Sequence, residues 1–289
     1  MEFVTPPETI GSTLAVVAAK LTDAGFDEAR RRARRLLAVA LGLTQEEVFA
    51  RIDRTVTETE GERVAEMLRR ALKHEPLSRI QGKREFWGLE LSLSPDTLDP
   101  RPETEMLVEA VLARLTERDR PYRFLDLGTG TGCLLLALLT EFPQARGIGV
   151  DHAWGAAATA RGNAARLGFT DRACFVAGDW AAALGGKFDA IIANPPYIPT
   201  AEIAALPPEV RDFDPVLALD GGIDGLGAYW RLTRDLTRLL APGGIFACEV
   251  GAGQDLAVAG ILTTQGLVVD AVVPDLAGIA RCLVARLTP

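Results

Sequence analysis

From residue 123 onward the sequence alternates short apolar strands with helical segments, and this rhythm restricts the fold more than any other feature. RFLDLG, ARGIGVD, ACFVAGD and FDAIIAN read as strands, with GCLLLALLTEF and WGAAATARGNAARLG as helices between them. A long loop follows FDAIIAN, then a helix GAYWRLTRDLTRLL, a strand GGIFACEVG, a helix near residues 253–265, and strands LVVDAVV and ARCLVARL. Strands that are apolar throughout must be covered on both faces, so a parallel α/β sheet with helices on each side is expected. Sheets of this kind bind ligands at the carboxyl ends of their strands.

The first 75 residues have a different rhythm. STLAVVAAKLTDAG reads as a helix with a Ser/Thr cap and an end near Gly25; DEARRRARRLLAVALG is amphipathic and ends at Gly42; TETEGERVAEMLRRALKH has apolar residues at helical spacing. The pattern changes again in EPLSRIQGKREFWGLELSLSPDTLDPRP, where Phe86-Trp87-Gly88 precedes alternating Leu89, Leu91 and Leu93, the mark of a hairpin. A domain boundary is expected near residue 85, with residues 1–85 helical, a hairpin linker to about residue 100, and residues 101–289 forming the α/β domain. Pro102 suits the first turn of a helix, PETEMLVEAVLARL, with acids where the helix dipole favours them.

The first residues, MEFVTPPETIGSTL, have neither a basic segment nor a continuous apolar run, so a signal peptide is not expected, and no apolar stretch reaches membrane-spanning length. Cys133, Cys174, Cys248 and Cys282 are widely spaced in apolar runs, as buried free thiols of a reducing cytoplasm would be. With only two histidines in the chain, a zinc site or a histidine-based triad is not expected, and no metal is assigned. Residues 1–85 carry 15 Lys+Arg against 14 Asp+Glu, a net of +1, whereas the rest carries a net of −9. Duplex binding draws on a basic face, so the acidic balance of the larger part counts against nucleic acid as partner. The cluster Arg30, Arg31, Arg32, Arg34 and Arg35 reads as a solvated helix face, a nucleic-acid patch or a docking surface.

FLDLGTGTGCLLLAL sets Gly128, Gly130 and Gly132 between a strand and a helix. Glycines there let the backbone turn sharply and let a ligand approach the helix N-terminus. The dinucleotide fingerprint G-x-G-x-x-G needs glycine at 133, where this chain has Cys133. The spacing G-x-G-x-G after Asp126, with Thr129 and Thr131 between the glycines, suits S-adenosyl-L-methionine, which has no pyrophosphate. The next strand ends at Asp151, placed to reach ribose hydroxyls, although a helix cap is the alternative reading. The third ends in Asp179-Trp180, an acceptor for an adenine amino group and a ring to border the base.

The fourth strand runs into DAIIANPPYIP, residues 189–199. Methylating a planar amide or exocyclic amine is difficult because the nitrogen lone pair is delocalised. A site helps by accepting hydrogen bonds from both N–H groups. The Asn194 side-chain oxygen is one acceptor and the Pro195 carbonyl a second, while Pro195 and Pro196 stiffen the turn. Tyr197 offers a flat face to a planar acceptor. Orientation and electrostatics would then carry the chemistry without a strong base. The alternative, a rigid strand-to-loop turn, loses ground because the segment follows a G-x-G-x-G loop in the same sheet.

Asn-Pro-Pro-Tyr is shared by methyltransferases of DNA adenine, ribosomal-RNA guanine and protein glutamine, so it gives a reaction type and leaves the substrate open. EPLSRIQGKREFWG, DPRPETEMLVEAVL, FLDLGTGTGCLLLAL, NPPYIP, DPVLALDGGIDGLGAYWRL and LAPGGIFACEVGAGQ, in this order, resemble the PrmC/HemK family, the N5-glutamine methyltransferases of peptide chain release factors. The resemblance runs from about residue 75 to the end. It implies a class I S-adenosylmethionine-dependent methyltransferase fold, a Rossmann-like seven-stranded sheet, with a small N-terminal helical domain for substrate recognition. It further implies methyl transfer to the glutamine of the Gly-Gly-Gln loop of class I release factors, in the cytoplasm, by a monomer. Carried over by motif, Gly128 to Gly132 border the methionine part of the cofactor, Asp151 holds the ribose and Trp180 lies by the adenine. Asn194, Pro195, Pro196 and Tyr197 frame the glutamine amide. Arg101, Glu103, Thr104 and Glu105 help close the site, or cap a helix. The family commonly has Ile-Pro-Arg-Pro where this chain has Asp99-Pro100-Arg101-Pro102, and a small hydroxyl residue at the place of Ala153. Gly221, Gly222, Gly225 and Gly227 read as a flexible lid or as a plain connection. The competing expectations are a nucleic-acid amine methyltransferase and a non-catalytic binding module of the same fold.

Overall fold

Three helices of the N-terminal part begin with a threonine whose side chain closes a capping box, and these set where each helix starts. The computed structural model describes residues 8–275 and 277–287. It divides after Gln81 into two units. The first contains α1 (Ile10–Asp23), α2 (Ala29–Leu41), α3 (Gln45–Ala50), α4 (Glu58–Ala71) and α5 (Leu77–Gln81). Thr9, Thr44 and Thr57 cap α1, α3 and α4. Ser12, expected near the cap of α1, is instead the box partner of Thr9, which lies three residues upstream. Helices α3 and α5 were not expected; both are too short for apolar periodicity to register. The apolar stripes of α1, α2 and α4 meet in a core of Ile10, Val17, Leu21, Leu36, Leu37, Val64 and Leu68. The arginines lie on the other side of α2, with Arg30, Arg31, Arg32 and Arg35 exposed. Arg31 pairs with Glu28, and Arg32 donates to the Asp27 carbonyl while its guanidinium lies 5.3 Å from the Phe26 ring centre.

The second unit opens with the hairpin β1 (Lys83–Phe86) and β2 (Leu89–Ser92), so the hairpin expected as a linker is grouped with the larger unit. Trp87 and Gly88 both take positive φ, +52° and +71°, which is the backbone of a tight hairpin turn with right-handed twist. Then follow α6 (Glu105–Leu112), β3 (Arg123–Leu127), α7 (Cys133–Glu141), β4 (Arg146–Asp151), α8 (Trp154–Arg166), β5 (Ala173–Ala177) and β6 (Phe188–Ala193). Past the long connection come α9 (Pro208–Arg211), α10 (Gly227–Leu232), α11 (Leu236–Leu239), β7 (Leu240–Glu249), α12 (Asp255–Thr264), β8 (Leu267–Pro274) and β9 (Ala280–Leu287). The strands form one seven-stranded sheet in the order β5-β4-β3-β6-β7-β9-β8. Its pairs are parallel except that β9 runs antiparallel between β7 and β8. The fully parallel sheet read from the sequence fails there because too few residues separate Pro274 from Ala280 for a crossover.

Strand residues alternate between two cores. Phe124, Ala190, Ile192, Ile245 and Ala247 pack with α6, α7 and α8 on one face. Leu125, Leu127, Ile191, Ala193, Phe246 and Cys248 pack with α10, α11 and α12 on the other. Cys248 and Cys282 are buried, but Cys133 is half-buried and Cys174 is exposed, so the expectation of four buried thiols holds for two. Cys174 is exposed because β5 is the outer strand and only its Phe175 turns into the core. Among the described residues no helix is long and apolar enough to cross a membrane.

One buried amide joins the hairpin to the sheet. Asn163 of α8 accepts from the Ser92 N–H at 2.8 Å and donates to the Ser92 and Thr131 carbonyls at 3.1 and 3.0 Å. It is 1 % exposed, and its replacement leaves the buried Thr131 carbonyl and two part-buried Ser92 backbone groups without these partners. Asn163→Ala should lower the unfolding free energy by about 2 kcal/mol, read from the urea midpoint at unchanged slope.

Candidate functional site

The carboxyl ends of β3, β4 and β6 and the turn after β5 border a pocket of about 440 Å³. That is a volume in the range of small-molecule and cofactor sites. Gly128, Thr129, Gly130, Thr131, Asp151, Asp179, Trp180, Asn194 and Pro196 all line it, so most of the residues singled out from the sequence are brought together. Gly132, Pro195 and Tyr197 do not. At Gly132 a Cβ would stand 3.2 Å from Ala160 and from the Phe175 ring, so this glycine serves helix–sheet packing. Pro195 is buried, and Tyr197 is turned toward the end of β7.

The wall made by β3 and β4 is a braced backbone loop. Asp151 Oδ2 accepts from the Gly130 N–H at 2.8 Å and Oδ1 from the Ala153 N–H at 2.9 Å. One carboxylate therefore ties the loop after β3 to the start of α8. Asp151 lines the pocket, whereas the cap of α8 is Ala153 with no side-chain cap hydrogen bond, so Asp151 braces the turn before the helix and does not cap it. Burial pushes its carboxyl above the usual range, against the pull of these two N–H donors. Beneath it, Thr129 Oγ1 donates to Asp126 Oδ2 at 2.6 Å. Burial pushes the fully enclosed Asp126 carboxyl up to about 7. Thr131 lines the pocket, and its Oγ1 is buried without a hydrogen-bond partner among the described residues. Such an orphan hydroxyl suits a polar ligand in this pocket.

Trp180 holds a left-handed backbone, φ +48°, unusual for a bulky residue. The strain aims the indole at the glycine loop. Its Cζ3 lies 3.6 Å from where a Gly128 Cβ would stand, so the ring lies against bare backbone. Asp179 stands exposed beside it at the rim.

Opposite the loop, the Asn194 Nδ2 donates to Thr104 Oγ1 at 3.1 Å, and the Thr104 hydroxyl donates to Glu249 Oε2 at 2.7 Å. The Tyr197 hydroxyl donates to Glu249 Oε1 at 3.2 Å. Burial raises both the Glu249 carboxyl and the Tyr197 phenol above their ordinary values. Of the Arg-Pro-Glu-Thr-Glu segment only Thr104 reaches the pocket. Arg101 instead pairs with the buried Asp214 at 2.5 Å, Glu105 accepts from the Trp87 N–H, and Glu103 is exposed. Glu249 escaped sequence reading, although it ends a buried strand as Asp151 does; applied to GGIFACEVG, the same rule would have found it.

The glycine loop, read from the sequence as a lid or as a plain connection, is held by several hydrogen bonds. Ile198 pairs with Asp220, Gly227 N–H donates to the Gly221 carbonyl, and Gln254 Nε2 donates to the Tyr197 carbonyl. At Gly225 a Cβ would stand 2.3 Å from the Tyr197 carbonyl oxygen, so the glycine is there for close approach. Among the described residues no group of His, Cys, Asp or Glu could hold a metal ion.

Residues 12–82 match the family described as PrmC N-terminal domain, and residues 93–205 that described as Methyltransferase small domain. The release factor glutamine methyltransferase of Rhodospirillum rubrum is 50 % identical over 96 % of this chain and 85 % of its own length. That of Bradyrhizobium diazoefficiens is 47 % identical over 98 % of this chain and 96 % of its own. Among solved structures, the hMettl16 catalytic domain, crystallised with the MAT2A 3'UTR hairpin 6, superposes with a TM-score of 0.57 at 17 % identity, covering 81 % of this chain and 84 % of its own. This last likeness is one of fold. At such identity along nearly its whole length, the chain belongs to the release factor glutamine methyltransferase family.

Proposed function

We propose that this protein transfers the methyl group of S-adenosyl-L-methionine to the N5 amide nitrogen of the glutamine in the Gly-Gly-Gln motif of class I peptide chain release factors, modulating translation termination. The observation that carries the reading is the Asn194 amide. Its Nδ2 is committed to Thr104, which leaves Oδ1 to accept from a substrate N–H across the pocket from the glycine loop. The names of the relatives support the same substrate.

When bound, S-adenosyl-L-methionine supplies an electrophilic sulfonium methyl and leaves as S-adenosyl-L-homocysteine. Gly128 through Thr131 and the orphan Thr131 hydroxyl hold its methionine end, Asp151 its ribose, and Asp179 with Trp180 its adenine. Asn194 Oδ1 and the Pro195 carbonyl accept the two N–H groups of the glutamine amide, localising the nitrogen lone pair as the C–N bond forms. Pro196 shapes the pocket wall, and Tyr197 stiffens the turn from behind. The cationic nitrogen so formed is a strong acid and sheds its proton to water, so the site needs no strong base. The helical residues 1–85 serve substrate recognition in this reading. The protein acts as a cytoplasmic monomer, and neither nucleic acid nor membrane is its partner.

The test is transfer of labelled methyl from S-adenosyl-L-methionine to a purified class I release factor, beside a factor whose Gly-Gly-Gln glutamine is asparagine. Label on the first alone is expected; label on DNA or ribosomal RNA instead would sink the glutamine assignment. Asn194→Ala should lower kcat by about 100- to 1,000-fold, as loss of a preorganised transition-state contact does. Asp151→Ala should weaken calorimetric binding of S-adenosyl-L-homocysteine by about 10- to 100-fold, the scale of a lost hydrogen bond to a charged group.

A further inference from the structure

A carboxylate that touches neither cofactor nor substrate dictates which face of the Asn194 amide meets the pocket. Thr104 Oγ1 stands between Asn194 Nδ2 at 3.1 Å and Glu249 Oε2 at 2.7 Å. A hydroxyl has one hydrogen to give. An ionised carboxylate only accepts, so the Thr104 hydrogen goes to Glu249, and toward Asn194 Thr104 can only accept. It must then meet the Asn194 NH₂ group, and Oδ1 is left for the pocket. Glu249 Oε1 takes the Tyr197 hydroxyl hydrogen at the same time. Only the ionised acid takes both hydroxyl hydrogens together. A neutral group at 249 must donate to one of the two hydroxyls, and if that is Thr104, its hydrogen is released to turn the Asn194 amide over.

We propose that Glu249 is a positioning residue that acts through Thr104 to hold Asn194 with its carbonyl oxygen toward the substrate amide. This rests on the glutamine-methylation reading above. Thr104 and Glu249 are 2 % and 5 % exposed, so water does not compete for these hydrogen bonds. The charged and titratable groups facing Glu249 come from several elements. Arg281 of β9 favours its ionised form, and Glu103 before α6 opposes it. Cys282 faces it from β9 as a thiol, and Tyr229 of α10 donates to its backbone carbonyl. Arg101 acts on Tyr197, the other hydroxyl on the carboxylate. Burial outweighs the favourable partners and raises the Glu249 carboxyl, so the ionised form is lost as pH falls through that raised value.

The experiment measures kcat and KM against pH for methylation of a purified class I release factor by the full-length enzyme and its variants. S-adenosyl-L-homocysteine affinity by calorimetry serves as the control for an intact pocket. Glu249→Gln should lower kcat about tenfold and remove an acid-side decline that the wild type shows, with KM and homocysteine-product affinity within about threefold. Thr104→Val should lower kcat about 100-fold, and Thr104→Ser should recover most of that loss. Because one residue acts through the other, the double variant should lose less than the product of the two single losses. Wild-type kcat at every pH both in Glu249→Gln and in Glu249→Leu, which leaves Thr104 no acceptor at all, overturns the proposal. So does a Thr104→Ser enzyme as slow as Thr104→Val, a fully multiplicative double variant, or a loss that falls on product affinity. A wild-type enzyme that leaves the release factor unlabelled overturns the glutamine reading itself, and this inference with it; in every other outcome that reading stands.

Discussion

The two oxygens of Asp151 hold together the parts of the molecule that matter for its chemistry. One takes the Gly130 N–H from the loop after β3, the other the Ala153 N–H at the start of α8. Two consecutive strand-to-helix crossovers are thereby locked at the carboxyl ends of β3 and β4, and the glycine loop is fixed before any ligand arrives. Preorganisation of this kind spares binding the cost of ordering backbone at the moment of contact. The cost is borne in folding, where a carboxylate is kept largely out of water. Its two backbone donors offset that only in part, which is why its proton affinity rises.

How much of this was legible in the sequence follows from what a linear pattern records. Strands buried on two faces are apolar at every position, so β3, β4, β6 and β7 stood out, and glycines at 128, 130 and 132 marked the turn between β3 and α7. The direction of β9 is not recorded by the residues of the strand; it follows from the short connection between Pro274 and Ala280. Asn163 was invisible for another reason. Its role is to satisfy Ser92 and Thr131, 71 and 32 residues away, and no local pattern reports partners so distant. The contacts of the Gly221–Gly227 loop are equally invisible to a local pattern. At Gly225 the missing Cβ allows the backbone to press against Tyr197 and Gln254.

The site residues divide by the same logic. Asp151, Asp179 and Asn194 sit at or just past strand ends, where the architecture of an open α/β sheet puts ligand-facing groups. Tyr197 was expected to offer its ring face to the substrate, and the structure instead directs its hydroxyl to Glu249 and its carbonyl to Gln254. These two bonds brace the turn that follows Asn194. Arg101 behaves comparably: through Asp214 it ties the segment leading to Thr104 onto the connection between β6 and β7. Asp214 also accepts from the Asp99 N–H, so the clasp grips this segment twice.

These arrangements share a physical requirement. In the reaction proposed above, the groups that meet the substrate amide are neutral acceptors, and Glu249 is set behind Thr104. A charge placed directly against the substrate nitrogen would bind the planar ground state and the developing cation unequally, but it would also have to be desolvated beside a sulfonium. Placing the carboxylate behind a threonine transmits its preference for accepting hydrogen bonds without its full field. The hydroxyl converts a charge into a direction. An amide oxygen held in this way costs little to reorganise when positive charge appears on the nitrogen, and that is the condition under which a weak acceptor stabilises a transition state strongly.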